Sequence, residues 1–172
     1  MKSKFLIVVF FLSLMACSTD DNNDNQTGFE PITLDLTGLG IEVDDTDFSV
    51  ENYNFNTYRA VSSDPGGDDM NDSNDPIFLA YPDGNSNPST LELDLGSANG
   101  LSKITISLFN NCGGGCTAIQ TLNSNGEILQ AFNDDTSVPT GSSEVLIENI
   151  DNSMNTLKIS SFETAVYSIR LE

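Results

Sequence analysis

Apolar and polar residues alternate along this chain in short runs broken by turns. Ile32, Leu34 and Leu36 alternate with Thr33 and Asp35, and Leu91, Leu93 and Leu95 alternate with Glu92 and Asp94. Ile104, Ile106 and Leu108 alternate with Thr105 and Ser107. Val145 with Ile147, Leu157 with Ile159, and Tyr167 with Ile169 and Leu171 continue the pattern. A period of two over a handful of residues marks a strand with one face buried and one in water. Between the runs stand turn formers, among them Pro82-Asp83-Gly84-Asn85, Asn123 to Gly126, and Pro139-Thr140-Gly141. Asn125-Gly126, between Leu122 and Ile128, predicts a hairpin. The pattern predicts strands near 31–37, 48–61 (long enough for two), 76–81, 89–95, 103–110, 117–123, 127–133, 143–149, 155–161 and 165–171. About ten short antiparallel strands predict an all-β domain, a two-sheet antiparallel β-sandwich wound like a jelly roll, with a closed barrel as the alternative. No internal repeat is visible, which argues against a propeller or solenoid.

Composition narrows the function. The chain has 172 residues, 26 acidic and 6 basic, for a formal charge of -20, and it has no histidine or tryptophan. So few bases cannot build a surface that neutralises phosphates, which excludes nucleic acid as a partner. Without histidine, serine-type triads and the common zinc sites are excluded too. The length suits one domain. Asn, Asp and Gly number 19, 17 and 13, all after residue 16, and this density of turn formers fits short strands rather than helices.

The N-terminus has its own logic. Lys2 and Lys4 precede an apolar run from Phe5 to Leu14, followed by Met15, Ala16 and Cys17. A charged start, about ten apolar residues and a small residue before the cut make a secretory signal, and the run is too short to span a bilayer. The ending Leu14-Met15-Ala16-Cys17 resembles the lipobox of bacterial lipoproteins. That resemblance implies removal of residues 1–16 and lipidation of Cys17. The four bases left, Arg59, Lys103, Lys158 and Arg170, then face 26 acids, a side-chain charge of -22. Anionic membrane surfaces repel such a chain, so acyl chains have to hold it there. Residues 17–28 read as a lipidated cysteine and a disordered polar tether, leaving 29–172 as a single β-sandwich domain. Acidic residues directly after the cysteine look like the surface-export signal of Bacteroidetes-type lipoproteins, which implies an outer-membrane protein facing outward. The periplasmic face is the alternative.

A second resemblance covers residues 76–172. The runs Leu91 to Gly96, Ile104 to Leu108, Leu122 to Leu129 and the closing Phe162 to Glu172 look like strands of galactose-binding-like jelly rolls. Many members of that group bind carbohydrate or serve as accessory domains, but a fold does not transfer its ligand.

Three groups of residues are candidates for chemistry. Cys112 and Cys116 flank three glycines, and outside the cytoplasm a disulfide is expected between them. Its role reads as pinning the turn between strands 103–110 and 117–123, since no neighbouring cation or helix lowers a thiol pKa for redox work. Asp69, Asn71, Ser73 and Asp75 resemble the opening of an EF-hand loop. Asn74 replaces the expected glycine and Ala80 stands where the bidentate glutamate belongs. Calcium is therefore a candidate cofactor, with Asp68, Asp69, Asp72 and Asp75 as ligands, against a plain solvated acidic loop. Tyr58, Arg59, Tyr81 and Asp83 are candidate sugar contacts, since aromatic faces stack on sugar rings and Asp and Arg take hydroxyls. Tyr53 and Phe55 share a face that reads as core. Among the acids, Glu92, Glu144, Glu148 and Glu163 read as solvated strand positions, and no pair stands out for hydrolysis.

The leading reading is a lipid-anchored, surface-exposed protein that binds glycan, or a partner protein, without catalysis. A structural or accessory lipoprotein of an envelope complex with no small ligand is the rival, and a hydrolase comes third.

Overall fold

The computed structural model describes residues 29–62, 75–80, 87–96, 99–112, 115–148 and 150–172. Among the described residues eleven strands run in order: β1 (Ile32–Asp35), β2 (Asp47–Val50), β3 (Tyr53–Tyr58), β4 (Ile77–Leu79), β5 (Ser89–Asp94), β6 (Lys103–Asn110), β7 (Thr117–Asn123), β8 (Ile128–Phe132), β9 (Gly141–Glu148), β10 (Met154–Ser161) and β11 (Thr164–Leu171). Most follow the alternation read from the sequence. In β6, for instance, Ile104, Ile106 and Leu108 are buried while Thr105, Ser107 and Phe109 face outward. The predicted 48–61 segment divides at Glu51 and Asn52, which take φ of 49° and 68° and form a two-residue hairpin turn between β2 and β3.

The strands form two antiparallel sheets. One is ordered β1-β11-β6-β9, with β4 also pairing β11; the other is ordered β2-β3-β5-β10-β7-β8. Within β4 to β11 the pairing is nested: β4 with β11, β5 with β10, β6 with β9, and β7 with β8. First with last, second with second-last and so inward is jelly-roll winding, and it spans the stretch whose sequence resembles such folds. β1 adds to the first sheet, and the β2–β3 hairpin extends the second by pairing β3 with β5. Both β4 and β1 lie on one edge of β11, β4 beside Thr164–Val166 and β1 beside Ser168–Leu171.

The core between the sheets is aliphatic, with Leu34, Leu36, Leu91, Leu93, Ile104, Ile106, Ile119, Leu157, Ile159 and Ile169 essentially sealed from solvent. Each such side chain contributes about 2 kcal/mol of burial. Phe55 joins this core and stacks on Phe48 at 4.8 Å, and Tyr53 packs half-buried at its margin, as expected. Tyr167 departs from expectation. Strict alternation puts it in phase with buried Ile169 and Leu171, but the β11–β6 register shifts between Val166 and Ser168. This bulge keeps Val166 and Ile169 both inside and turns Tyr167 out to solvent.

Candidate functional site

The outer face of the first sheet is where exposed apolar side chains gather. Of five large hydrophobic residues exposed among the described residues, Phe109, Leu146 and Tyr167 lie on this face. Cross-strand register sets Phe78 beside Ala165, Ala165 beside Phe109, and Phe109 beside Ser142. Ala165 is a methyl-sized floor, 3% exposed, between two phenylalanines that stand two strands, about 9.5 Å, apart. The result is a trough with aromatic walls. One register step on, Asn111 donates its backbone N–H to the Glu163 carbonyl at 3.0 Å and its side-chain amide to Glu163 Oε2 at 3.3 Å. These residues, with Ala80 and Thr164, enclose a cavity of about 460 Å³. A second, shallower cavity, largely open to solvent, lies alongside, lined by Ser107, Leu108, Ser142, Ser143, Glu144 and Tyr167. The first volume falls within the range of small-ligand sites, roughly 300–1,000 Å³.

Electrostatically the face is one-sided. Glu163 and Glu144 line the cavities and no Lys or Arg does. Lys103 pairs with Glu172 at 2.6 Å, Arg170 pairs with the same carboxylate, and Lys158 pairs with Glu92 at 2.6 Å on the opposite sheet. Arg170 is the nearest of these on the face, opposite Thr105 and one outward position beyond Ser107. The Lys103 ammonium, hydrogen-bonded to Glu172, holds that carboxyl below its ordinary value against an opposing desolvation, with Arg170 adding to the effect.

A buried polar network supports the trough from beneath. Asn110, Thr117, Ser161 and Thr164 are all at most 2% exposed. Thr117 Oγ1 lies 2.7 Å from Thr164 Oγ1 and 2.8 Å from Ser161 Oγ, and it donates to Asn110 Oδ1 at 3.2 Å. Asn110 Nδ2 donates to the Val138 carbonyl at 3.3 Å, and the Glu163 N–H donates to Ser161 Oγ at 3.1 Å. Asn110 and Thr164 belong to one sheet, Thr117 and Ser161 to the other, so the network ties the sandwich together behind Asn111 and Glu163. Directly beside it, Cys112 and Cys116 form the expected disulfide, with Cα atoms 6.2 Å apart, between β6 and β7.

The sequence candidates distribute unevenly. Tyr58 is exposed, at 42%, but on the second sheet, beside Thr90. Arg59 follows it half-buried at φ 54°. Tyr81 and Asp83 lie outside the described residues. Cys17, Asp68, Asp69 and Asp72 also lie outside them. Asp75 is half-buried, and its carbonyl accepts from the Gly38 N–H at 2.8 Å. Among the described residues no three acidic or thiol side chains group to hold a metal.

Sequence reasoning did not single out Phe78, Phe109, Asn111 and Tyr167; it read Glu163 and Glu144 as solvated, and both are exposed. One signal was present. Phe109 follows Thr105 and Ser107 in the polar phase of its strand, where an aromatic has no core to fill.

No family model matches this chain, and no curated protein matches it. Among solved structures, it is similar to a low-affinity xylan-binding module from the gut symbiont Roseburia intestinalis. Identity there is 9%, over 84% of this chain and 96% of that one, with a TM-score of 0.42. It is also similar to the enzymatically active domain of tailspike protein 4 of bacteriophage CBA120, at 12% identity over 81% of this chain and 20% of that one, with a TM-score of 0.29. Likenesses this distant pass no ligand to the present chain.

Proposed function

We propose that this chain is a lipid-anchored envelope protein that binds glycan, without catalysis, on the outer face of its first sheet. The observation that carries the reading is the Phe78–Ala165–Phe109 trough closed at one end by the Asn111–Glu163 pair. A sugar ring has an apolar C–H face and a polar rim. Facing phenylalanines suit the first, while a fixed amide and carboxylate accept and donate to the hydroxyls of the second. The buried network fixes the backbone behind the pair through the Glu163 N–H to Ser161 Oγ bond, which lowers the ordering cost of binding. Anchoring through Cys17 and an outward-facing location complete the reading and follow from the sequence of the first 28 residues.

Affinity electrophoresis through gels containing neutral polysaccharides tests the site. The wild type is expected to be retarded by at least one of them, and Phe109→Ala, an exposed position, is expected to abolish retardation while melting within a few degrees of wild type. Unretarded wild type across the panel would reject the reading. For the anchor, labelled palmitate is expected to enter the wild type and not Cys17→Ser; equal labelling of both would end the lipoprotein assignment.

A further inference from the structure

The two cavities are neighbours. Phe109 walls the first, and its cross-strand partner Ser142 lines the second. On β11, Ala165 floors the first, and Tyr167, two residues on, lines the second. Two residues along a strand span about 6.6 Å, the scale of one sugar ring with its linkage. From Asn111 to Ser107 the two cavities together cover four residues of backbone, about 13 Å. Each has its own aromatic and its own carboxylate: Phe109 with Glu163, then Tyr167 with Glu144.

We infer that this face takes an uncharged glycan chain of at least two successive rings, one in each cavity, with the path running obliquely from Asn111 and Glu163 toward Ser107 and Glu144. The inference rests on the glycan reading above and adds chain length and charge to it. Tyr167 is the second platform. The β11 bulge places its ring in solvent, where strict alternation would have buried it. The charge follows from the whole domain. Residues 29–172 contain four bases, and Arg59, Lys103, Lys158 and Arg170 are all absent from the cavity walls. A uronic acid or sulfate seated beside Glu163 or Glu144 meets like charge with no cation in the cavity walls to offset it, since Arg170, the nearest on the face, is paired with Glu172.

The test uses the full chain in a non-glycosidic detergent, titrated by calorimetry and NMR with β-1,4-linked gluco-, manno- and xylo-oligosaccharides of one to six rings. Oligogalacturonates of equal length are the charged comparison. For at least one neutral series, affinity is expected to rise at least tenfold between one ring and three. Tyr167→Ala and, separately, Ser107→Arg are each expected to remove most of that gain. Oligogalacturonates are expected to bind at least tenfold more weakly than neutral chains, with Glu144→Gln plus Glu163→Gln narrowing the gap. Binding that is flat with length, or that favours the oligogalacturonates, overturns this inference and leaves the glycan reading standing. No binding by any saccharide at any length overturns both, and would leave a protein partner as the occupant of the face.

Discussion

Asn110 supports two structures at once from a position sealed inside the sandwich. Its Oδ1 receives the hydroxyls of Thr117 and Thr164, and its amide reaches Val138 in the β8–β9 connection. Asn110→Leu leaves the Val138 carbonyl and the hydroxyl pair short of a partner, for a loss of about 2–3 kcal/mol in urea unfolding. A loss under half of that would mean water or rotation restores the bonds. Glu51 offers the opposite sign. A glutamate at φ 49° carries a steric penalty that asparagine tolerates better, so Glu51→Asn is expected to stabilise by about 0.5 kcal/mol or more, read as a higher midpoint. At this scale the core was legible in the sequence, because alternation alone separates Ile104, Ile106 and Leu108 from their neighbours. The site was much less so. Phe109 shows in the sequence only as an aromatic in the polar phase, and the company it keeps, Phe78 and Ala165, comes from strands 31 and 56 residues away and depends on register that no local pattern encodes.

Elements explain why some readings survived and others moved. The β7–β8 hairpin was legible because Asn125 and Gly126 carry the turn themselves: Gly126 sits at φ 78°, and Asn123 Oδ1 accepts from the N–H groups of Asn125 and Glu127. The β11 bulge was not, since one extra residue reverses the facing of Tyr167 without leaving a glycine or proline to mark it. The disulfide is a local brace. Mass spectrometry of the non-reduced protein is expected to find Cys112 and Cys116 two hydrogens lighter than the dithiol. Replacing both by serine is expected to cost about 2 kcal/mol, since so short a loop removes little entropy from the unfolded chain. A much larger loss would show that the bridge also holds the Asn110 network in register.

For the molecule as a whole, charge sets the response to solution conditions. A formal charge of -20 repels itself, so sodium chloride is expected to raise the melting midpoint at neutral pH as the screening length shrinks from about 10 Å at 0.1 M to about 3 Å at 1 M. Calcium at matched ionic strength is expected to add to this shift, and the addition to vanish in Asp69→Ala plus Asp75→Ala, if residues 64–75 hold the ion. Acidification acts in two directions. Protonating carboxylates relieves repulsion, but Asp134, Asp151 and Glu172 have pKa values lowered in the fold, by bonds from Ser137, Ser153 and Lys103 respectively. Stability from a lowered carboxyl is complete above its unfolded value and lost as pH falls through the folded one, so the midpoint is expected to hold or rise toward pH 5 and to drop below about pH 4. A midpoint still rising at pH 3 would show those three bonds to be without weight. Finally, β1 enters beside Leu171, whereas the trough lies beside Thr164 and Ala165 toward the other end of the same strand. With the anchor and the glycan site as proposed, the protein is pulled lengthwise when flow or a moving cell draws the two apart. The bonds between β1 and β11 lie across that direction, so tension strains them together, like a lap joint, instead of peeling them one after another.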